Sequence, residues 1–120
     1  MAAKDERGRA GEKRAAEHLC AAGYTILDRN WRCAHGEVDI VAARDTDLVV
    51  VEVKTRRTGR FGHPFDAVDS GKRARLWRVC HAWRAAHPEH ARARRPRLDV
   101  IGILGERPED AELEHWTDLQ

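Results

Sequence analysis

Charged side chains interrupt two Val-rich runs between residues 36 and 56, in the stretch GEVDIVAARDTDLVVVEVKTR. Asp39 lies inside the first run, and Glu52 and Lys54 lie inside the second. Hard divalent cations bind carboxylate oxygens and often share them with substrate phosphates. Two carboxylates and an ammonium group in this pattern therefore indicate phosphodiester chemistry, provided that the three side chains meet.

The two runs predict a β-hairpin, because each has strand-like composition and the polar RDTD sequence joins them. We expect strands over residues 37–43 and 48–55. Side chains alternate across a strand, so Glu52 and Lys54 share one face of the second strand and the neighbouring valines take the other.

A turn centred on residues 45 and 46 fixes the register of this hairpin. In that register Asp39 lies across from Glu52, and Glu37 lies across from Lys54. Like charges on opposite strands destabilise a sheet, so a purely structural hairpin would avoid the pair of carboxylates. A divalent cation held between them would reverse the sign of the interaction.

An Mg²⁺ or Mn²⁺ ion at this pair would polarise a phosphate and lower the pKa of a bound water. Lys54 would orient the attacking water or stabilise charge in the transition state. The alternative is a solvent-facing hairpin, in which Glu37 and Lys54 form an exposed ion pair worth little and the other carboxylates are hydrated.

A helix is expected from Glu6 to Ala22, ended by Gly23. Stepping back by helical turns from its apolar stripe at Leu19 places Glu12 at the edge of the inward face. Glu12 could complete the metal shell directly or through a metal-bound water. A solvated glutamate near the start of a helix is the alternative.

The remaining segments predict strands over 24–32, 97–104 and 111–117 and a helix capped by Ser70 and ended near His87. The order is α-β-β-β-α-β with a fifth strand, in a single α/β domain spanning residues 1–120. Asp99 points inward from its strand and would need a partner such as Arg97, so we interpret it as structural.

Charge is segregated along the chain, with net values of −2, +10 and −6 for residues 1–53, 54–97 and 98–120. A basic block of this kind indicates a polyanionic partner. The basic residues that follow the hairpin in chain order are Arg56, Arg57, Arg60, Lys72, Arg73 and Arg75. They could bind nucleic-acid phosphates without reading base sequence, and a solvated surface is the alternative for each one.

The composition argues against membrane and secreted classes of protein. No apolar run reaches the roughly 18 residues that a membrane span needs, and the N-terminus is too charged for a secretory signal. The three cysteines are an odd number without CxxC spacing, which favours neither disulfides nor zinc. We expect a cytoplasmic protein whose cysteines are small buried hydrophobes.

Asp39, twelve intervening residues and then Glu52-Val53-Lys54 are similar to the D…(D/E)xK signature of restriction-endonuclease-like nucleases. More of the chain resembles the YraN-like family of uncharacterised proteins, over about residues 7 to 104. The blocks that carry this resemblance are GRAGEKRAAEHLCAAGYTILDRNWR, GEVDIVA, VVVEVKTRR, FGHPFDAV, Lys72 and RLDVIGI. That family is assigned to the endonuclease-like fold and resembles archaeal Holliday-junction resolvases.

The resemblance implies a restriction-endonuclease-like core, with a mixed central sheet flanked by helices. The catalytic set that it implies is Glu12, Asp39, Glu52 and Lys54. The three carboxylates and the backbone carbonyl of Val53 would surround Mg²⁺, with Glu37 as a supporting carboxylate. The implied activity is a metal-dependent endonuclease acting on branched or structured DNA, with a homodimer as the expected assembly. The alternative is a catalytically silent DNA-binding or recombination accessory module that acts through protein partners.

Overall fold

The computed structural model describes residues 5–58, 60, 62 and 68–120. The elements are α1 (Glu6–Ala21), β1 (Thr25–Cys33), β2 (Gly36–Arg44), β3 (Asp47–Arg56), α2 (Ser70–Ala86), α3 (Pro88–Ala91), β4 (Arg95–Leu104) and β5 (Glu112–Trp116). The predicted order is confirmed, with a one-turn helix, α3, added before β4. The block FGHPFDAV lies outside the described residues except for Gly62 and Val68.

The five strands form one sheet in the order β1-β2-β3-β4-β5. β3 and β4 are parallel, and the other neighbouring pairs are antiparallel. This is the mixed central sheet expected for a restriction-endonuclease-like core. β5 forms an edge of the sheet, and a homodimer through the 97–117 region stays a prediction.

Both faces of the sheet are covered by helices. On one face, Leu76, Val79 and Trp83 of α2 are buried against β-strand residues that include Val50. On the other face, Ala15 and Leu19 of α1 are buried in a second apolar cluster of strand residues. Burial from both sides explains why the central strands are apolar at almost every position.

Acidic side chains cap both long helices at their N-termini. Asp5 accepts a hydrogen bond from the Gly8 N–H at 2.7 Å, and Asp69 accepts one from the Lys72 N–H at 2.9 Å. Asp69 rather than Ser70 is therefore the N-cap of α2, since two residues able to cap stand side by side and the helix begins after the first.

The cysteines do not all behave as buried hydrophobes. Cys80 lies on the buried face of α2, as predicted. Cys20 is exposed and Cys33 is half-buried, so the prediction of buried cysteines is wrong for these two. Within the described ranges, the model contains no helix long and apolar enough to cross a membrane.

Candidate active site

β2 and β3 stop pairing with each other before either strand ends. Their ladder follows the predicted register and ends at the Ile40–Val51 pair. Beyond that pair, β2 continues beside β1 and β3 continues beside β4. This open region, residues 36–39 of β2 and 52–56 of β3, is the fork.

Asp39 occupies the inner end of the fork. Its Oδ2 accepts a hydrogen bond from the Val53 N–H at 2.7 Å. The side chain thus replaces the backbone carbonyl that would accept this hydrogen bond if the ladder continued. The side-chain alternation expected of β2 also breaks here, because Val38 joins the α2-side core and Ile40 joins the α1-side core.

The predicted pairing of Glu37 with Lys54 is wrong. The Glu37 carboxylate lies 3.0 Å from Arg32 Nε on the neighbouring strand β1, and Lys54 Nζ lies 3.3 Å from Glu52 Oε2. The ladder that would have brought Glu37 and Lys54 together has already ended at the fork. Lys54 is therefore directed to the carboxylate on its own strand, two residues away.

Asp39 and Glu52 are each only 7% exposed. The pKa of Glu52 is raised to about 7, first by burial and then by the charge of Asp39 and a hydrogen bond with it, while Lys54 lowers it. The Glu52 carboxyl group therefore takes up a proton more readily than an ordinary glutamate does. The same arrangement would bind a cation in place of that proton.

Glu12 reaches this region because α1 lies unusually close to β3. A Cβ at Gly11 would overlap Thr55 Oγ1 and would lie 3.1 Å from Thr55 Cβ, so only glycine allows this approach. Glu12 is buried, with the Arg29 guanidinium 3.9 Å from its Oε1. The solvated alternative for Glu12 is therefore wrong, and its inward placement is confirmed.

The side chains around the fork line a single cleft of about 460 Å³. The four residues of the implied catalytic set and the supporting Glu37 all line it, namely Glu12, Glu37, Asp39, Glu52 and Lys54. Arg56 and Arg75 line it as well, together with Arg7 and Thr55, which the sequence analysis missed. Their positions in the sequence could have indicated them. Arg7 lies one helical turn before Gly11, and Thr55 directly follows Lys54.

The other basic residues lie outside the lining of this cleft. Arg57 is exposed and its guanidinium lies 3.6 Å from Glu106, while Arg60 is exposed beyond the end of β3. Lys72 and Arg73 are half-buried in the first turn of α2. Their part in nucleic-acid binding stays a prediction.

The metal-binding role that the resemblance implies for Glu12, Asp39, Glu52 and the Val53 carbonyl stays a prediction. Among residues 5–58, 60, 62 and 68–120, no three or more His, Cys, Asp or Glu side chains are grouped closely enough to hold a metal ion. Asp39 and Glu52 are the adjacent carboxylates, and the Val53 carbonyl is the neighbouring backbone donor. Glu12 would join them through a bridging water or after a side-chain movement.

The model of an uncharacterised protein family, UPF0102, matches residues 11–103. The chain belongs to this family. The UPF0102 protein of Paenarthrobacter aurescens is 48% identical over 115 residues, covering 96% of this chain and 93% of that protein. The UPF0102 protein of Frankia alni is 50% identical over 101 residues, covering 84% and 82% of the two chains.

A solved structure, described as an EndoMS complex with double-stranded DNA, matches this UPF0102 chain at 22% identity with a TM-score of 0.39. The match covers 79% of this chain and 35% of the other. A similarity this low does not bear on function.

Proposed function

We propose that this protein is a metal-dependent endonuclease that hydrolyses phosphodiester bonds of nucleic acid, with branched or structured DNA as the favoured substrate. The observation that carries the proposal is the buried Asp39–Glu52 pair with Lys54 Nζ 3.3 Å from Glu52. These three residues share a cleft with arginines from three different elements, Arg7, Arg56 and Arg75. Acidic donors for a cation thus lie beside basic donors for phosphates.

The donor set fits Mg²⁺ or Mn²⁺. Adjacent buried carboxylates raise the pKa of Glu52, and a hard divalent cation would relieve the same repulsion that a proton relieves. Asp39, Glu52 and the Val53 carbonyl would hold the ion, with Glu12 through water. When bound, it would supply polarisation of the phosphate and a more acidic water.

The chain's own residues would position the substrate and stabilise charge. Lys54 Nζ lies 3.3 Å from Glu52, so it would orient the attacking water or bind the transition-state oxyanion. The Val53 N–H fixes the Asp39 carboxylate in one orientation. Arg7 and Arg56, which both hydrogen-bond to the Gly105 backbone, would bind phosphates from the same side of the cleft.

Cleavage of a panel of labelled substrates with Mg²⁺ or Mn²⁺ tests the proposal, using branched DNA, flapped DNA, duplex DNA and single-stranded RNA. Asp39→Asn, Glu52→Gln and Lys54→Ala should each abolish cutting. Asp45→Asn is the matched control, because Asp45 lies in the exposed turn of the same hairpin at φ 54°, a conformation that asparagine tolerates. Cutting that survives in Asp39→Asn and Lys54→Ala would overturn the proposal.

A DNA-binding accessory module without turnover is the second candidate function. The arginines of the cleft, Arg7, Arg56 and Arg75, favour it, since they could bind phosphates without a cation. This candidate predicts binding to branched DNA that divalent cations and Lys54→Ala leave unchanged. The cleavage panel and a binding titration on the same variants separate the two functions.

A further inference from the structure

Arg75 stands between the active-site cleft and a second cleft. The second cleft has a volume of about 510 Å³ and is lined by Arg32, Cys33, Gly36, Glu37 and Arg75. Arg75 and Glu37 line both clefts, so the Arg75 side chain, which comes from α2, forms part of the boundary between them. The second cleft lies beside the β1–β2 turn, next to the outer end of the fork.

Gly36 makes room for Arg75 at this boundary. It has φ +135°, and a Cβ at this position would lie 3.3 Å from Arg75 Cδ and 3.6 Å from Arg75 Nε. The aliphatic part of Arg75 therefore lies directly against the Gly36 backbone. A larger residue at position 36 would require the Arg75 side chain to shift by a few tenths of an ångström.

The Arg75 guanidinium has an unused donor. Its Nε is buried and has no hydrogen-bond acceptor among the residues that the structure describes. The other arginine of the second cleft, Arg32, has its Nε 3.0 Å from Glu37. A buried charged donor without an acceptor is uncommon, and it is expected where a ligand supplies the acceptor.

We propose that the two clefts hold consecutive nucleotides of one strand, with Arg75 bound to the phosphate between them. The inference rests on the proposed function for the first cleft and adds the path of the substrate, which crosses the β1–β2 turn. A guanidinium presents two parallel donors to a phosphate, so one arginine fixes both its position and its orientation. We expect the strand in this path to be unpaired or splayed, because Arg75 Nε is buried and a phosphate must reach it between the two clefts.

The test measures binding of a single-stranded oligonucleotide at several salt concentrations without divalent cations. Arg75→Ala should weaken binding about tenfold and lower the salt slope by about 0.7, the loss expected for one phosphate contact on a single strand. Arg75→Lys should keep the slope and still bind more weakly, because the fork of donors is lost. Arg78→Ala is the matched control, since Arg78 is exposed on the same helix and lines neither cleft.

Oligonucleotide length tests the second cleft. Lengthening the probe one nucleotide at a time, on the 5′ or the 3′ side, should give one step in affinity that is present in the wild type and absent in Arg75→Ala. Equal affinities and slopes for Arg75→Ala and Arg78→Ala would overturn the inference even if the wild type cuts DNA. Binding that depends on Arg75 without any cutting would overturn the nuclease function and leave this inference standing.

Discussion

The Asp39 carboxylate accepts a hydrogen bond from the Val53 N–H at 2.7 Å, across the point where β2 and β3 separate. Asp39→Asn keeps an oxygen acceptor and removes the repulsion with Glu52, so it should be at least as stable as the wild type at pH 7.5. Asp39→Ala leaves the Val53 N–H without this acceptor and should be about 1–3 kcal/mol less stable than Asp39→Asn. Urea unfolding without divalent cations measures both, and equal stabilities for the two variants would argue against the bond.

Glu52 makes the stability of the metal-free protein depend on pH. Its pKa is raised to about 7 by burial and by Asp39, so its contribution is fully present below the usual glutamate pKa and is lost as pH rises through 7. The loss should be on the order of 3 kcal/mol, less where the site relaxes. The difference in unfolding free energy between the wild type and Glu52→Gln, followed from pH 4.5 to pH 8, isolates this group. A difference that stays constant over that range would contradict the assignment.

Divalent cations should stabilise the protein more at pH 8 than at pH 6, because a proton on Glu52 competes with the ion. At ten times its Kd, a cation that binds only the folded protein contributes about 1.4 kcal/mol. Thermal unfolding with Mn²⁺ or Mg²⁺ at the two pH values measures this difference. Asp45→Asn should behave as the wild type, and a cation effect that persists in Glu52→Gln would place the ion elsewhere.

Gly11→Ala should destabilise the protein by about 1–3 kcal/mol, although alanine is the better helix former, because its Cβ would overlap Thr55 and push α1 from β3. Gly71→Ala is the matched control, since Gly71 lies in the exposed first turn of α2 with its nearest neighbour at 3.5 Å. That change should be neutral or slightly stabilising. Equal effects of the two substitutions in urea unfolding would show that α1 does not rest on Thr55.

Arg97 and Arg95 offer a second matched pair. Arg97 is buried and its Nε and a terminal nitrogen donate to Asp99 at 2.9 and 2.8 Å. Burial opposes ionisation of Asp99, yet hydrogen bonds from His115 and Arg97 hold its pKa below the usual value. Arg97→Met should cost about 3–5 kcal/mol, because it removes one partner of a buried pair. Arg95→Met, at an exposed ion pair, should cost less than about 1 kcal/mol in the same urea titration.

The hairpin could be predicted from the sequence because its interactions are local. Alternation and a short polar turn fix the register of β2 and β3, and that register holds as far as Ile40 and Val51. The pairing of Asp99 with Arg97 could also be predicted, because the two residues are neighbours on one face of one strand. The third member of that group, His115, comes from β5 and was not indicated by any local pattern.

The fork could not be predicted, because it depends on competition between strands. The pattern of β2 and β3 allows their ladder to continue, and only the flanking strands and the bond from Asp39 to Val53 show where it ends. Glu37 was assigned the wrong partner for this reason. The contact between Gly11 and Thr55 and the entry of Arg75 beside Gly36 are likewise tertiary, and neither glycine had a sequence signal that named its neighbour.

Asp39 and Glu52 lie at the point where the ladder between β2 and β3 ends, and the Asp39 carboxylate accepts the Val53 N–H hydrogen bond that a strand carbonyl would otherwise accept. If the ladder continued by three more pairs, Glu37 would meet Lys54, the cleft would close, and the domain would gain a more regular sheet with no access to the carboxylates. Substitutions that replace both acids by β-branched apolar residues should therefore yield a more stable protein that has lost its site. In this chain, an open cleft with buried carboxylates and maximal stability are competing demands on the same few residues of one hairpin.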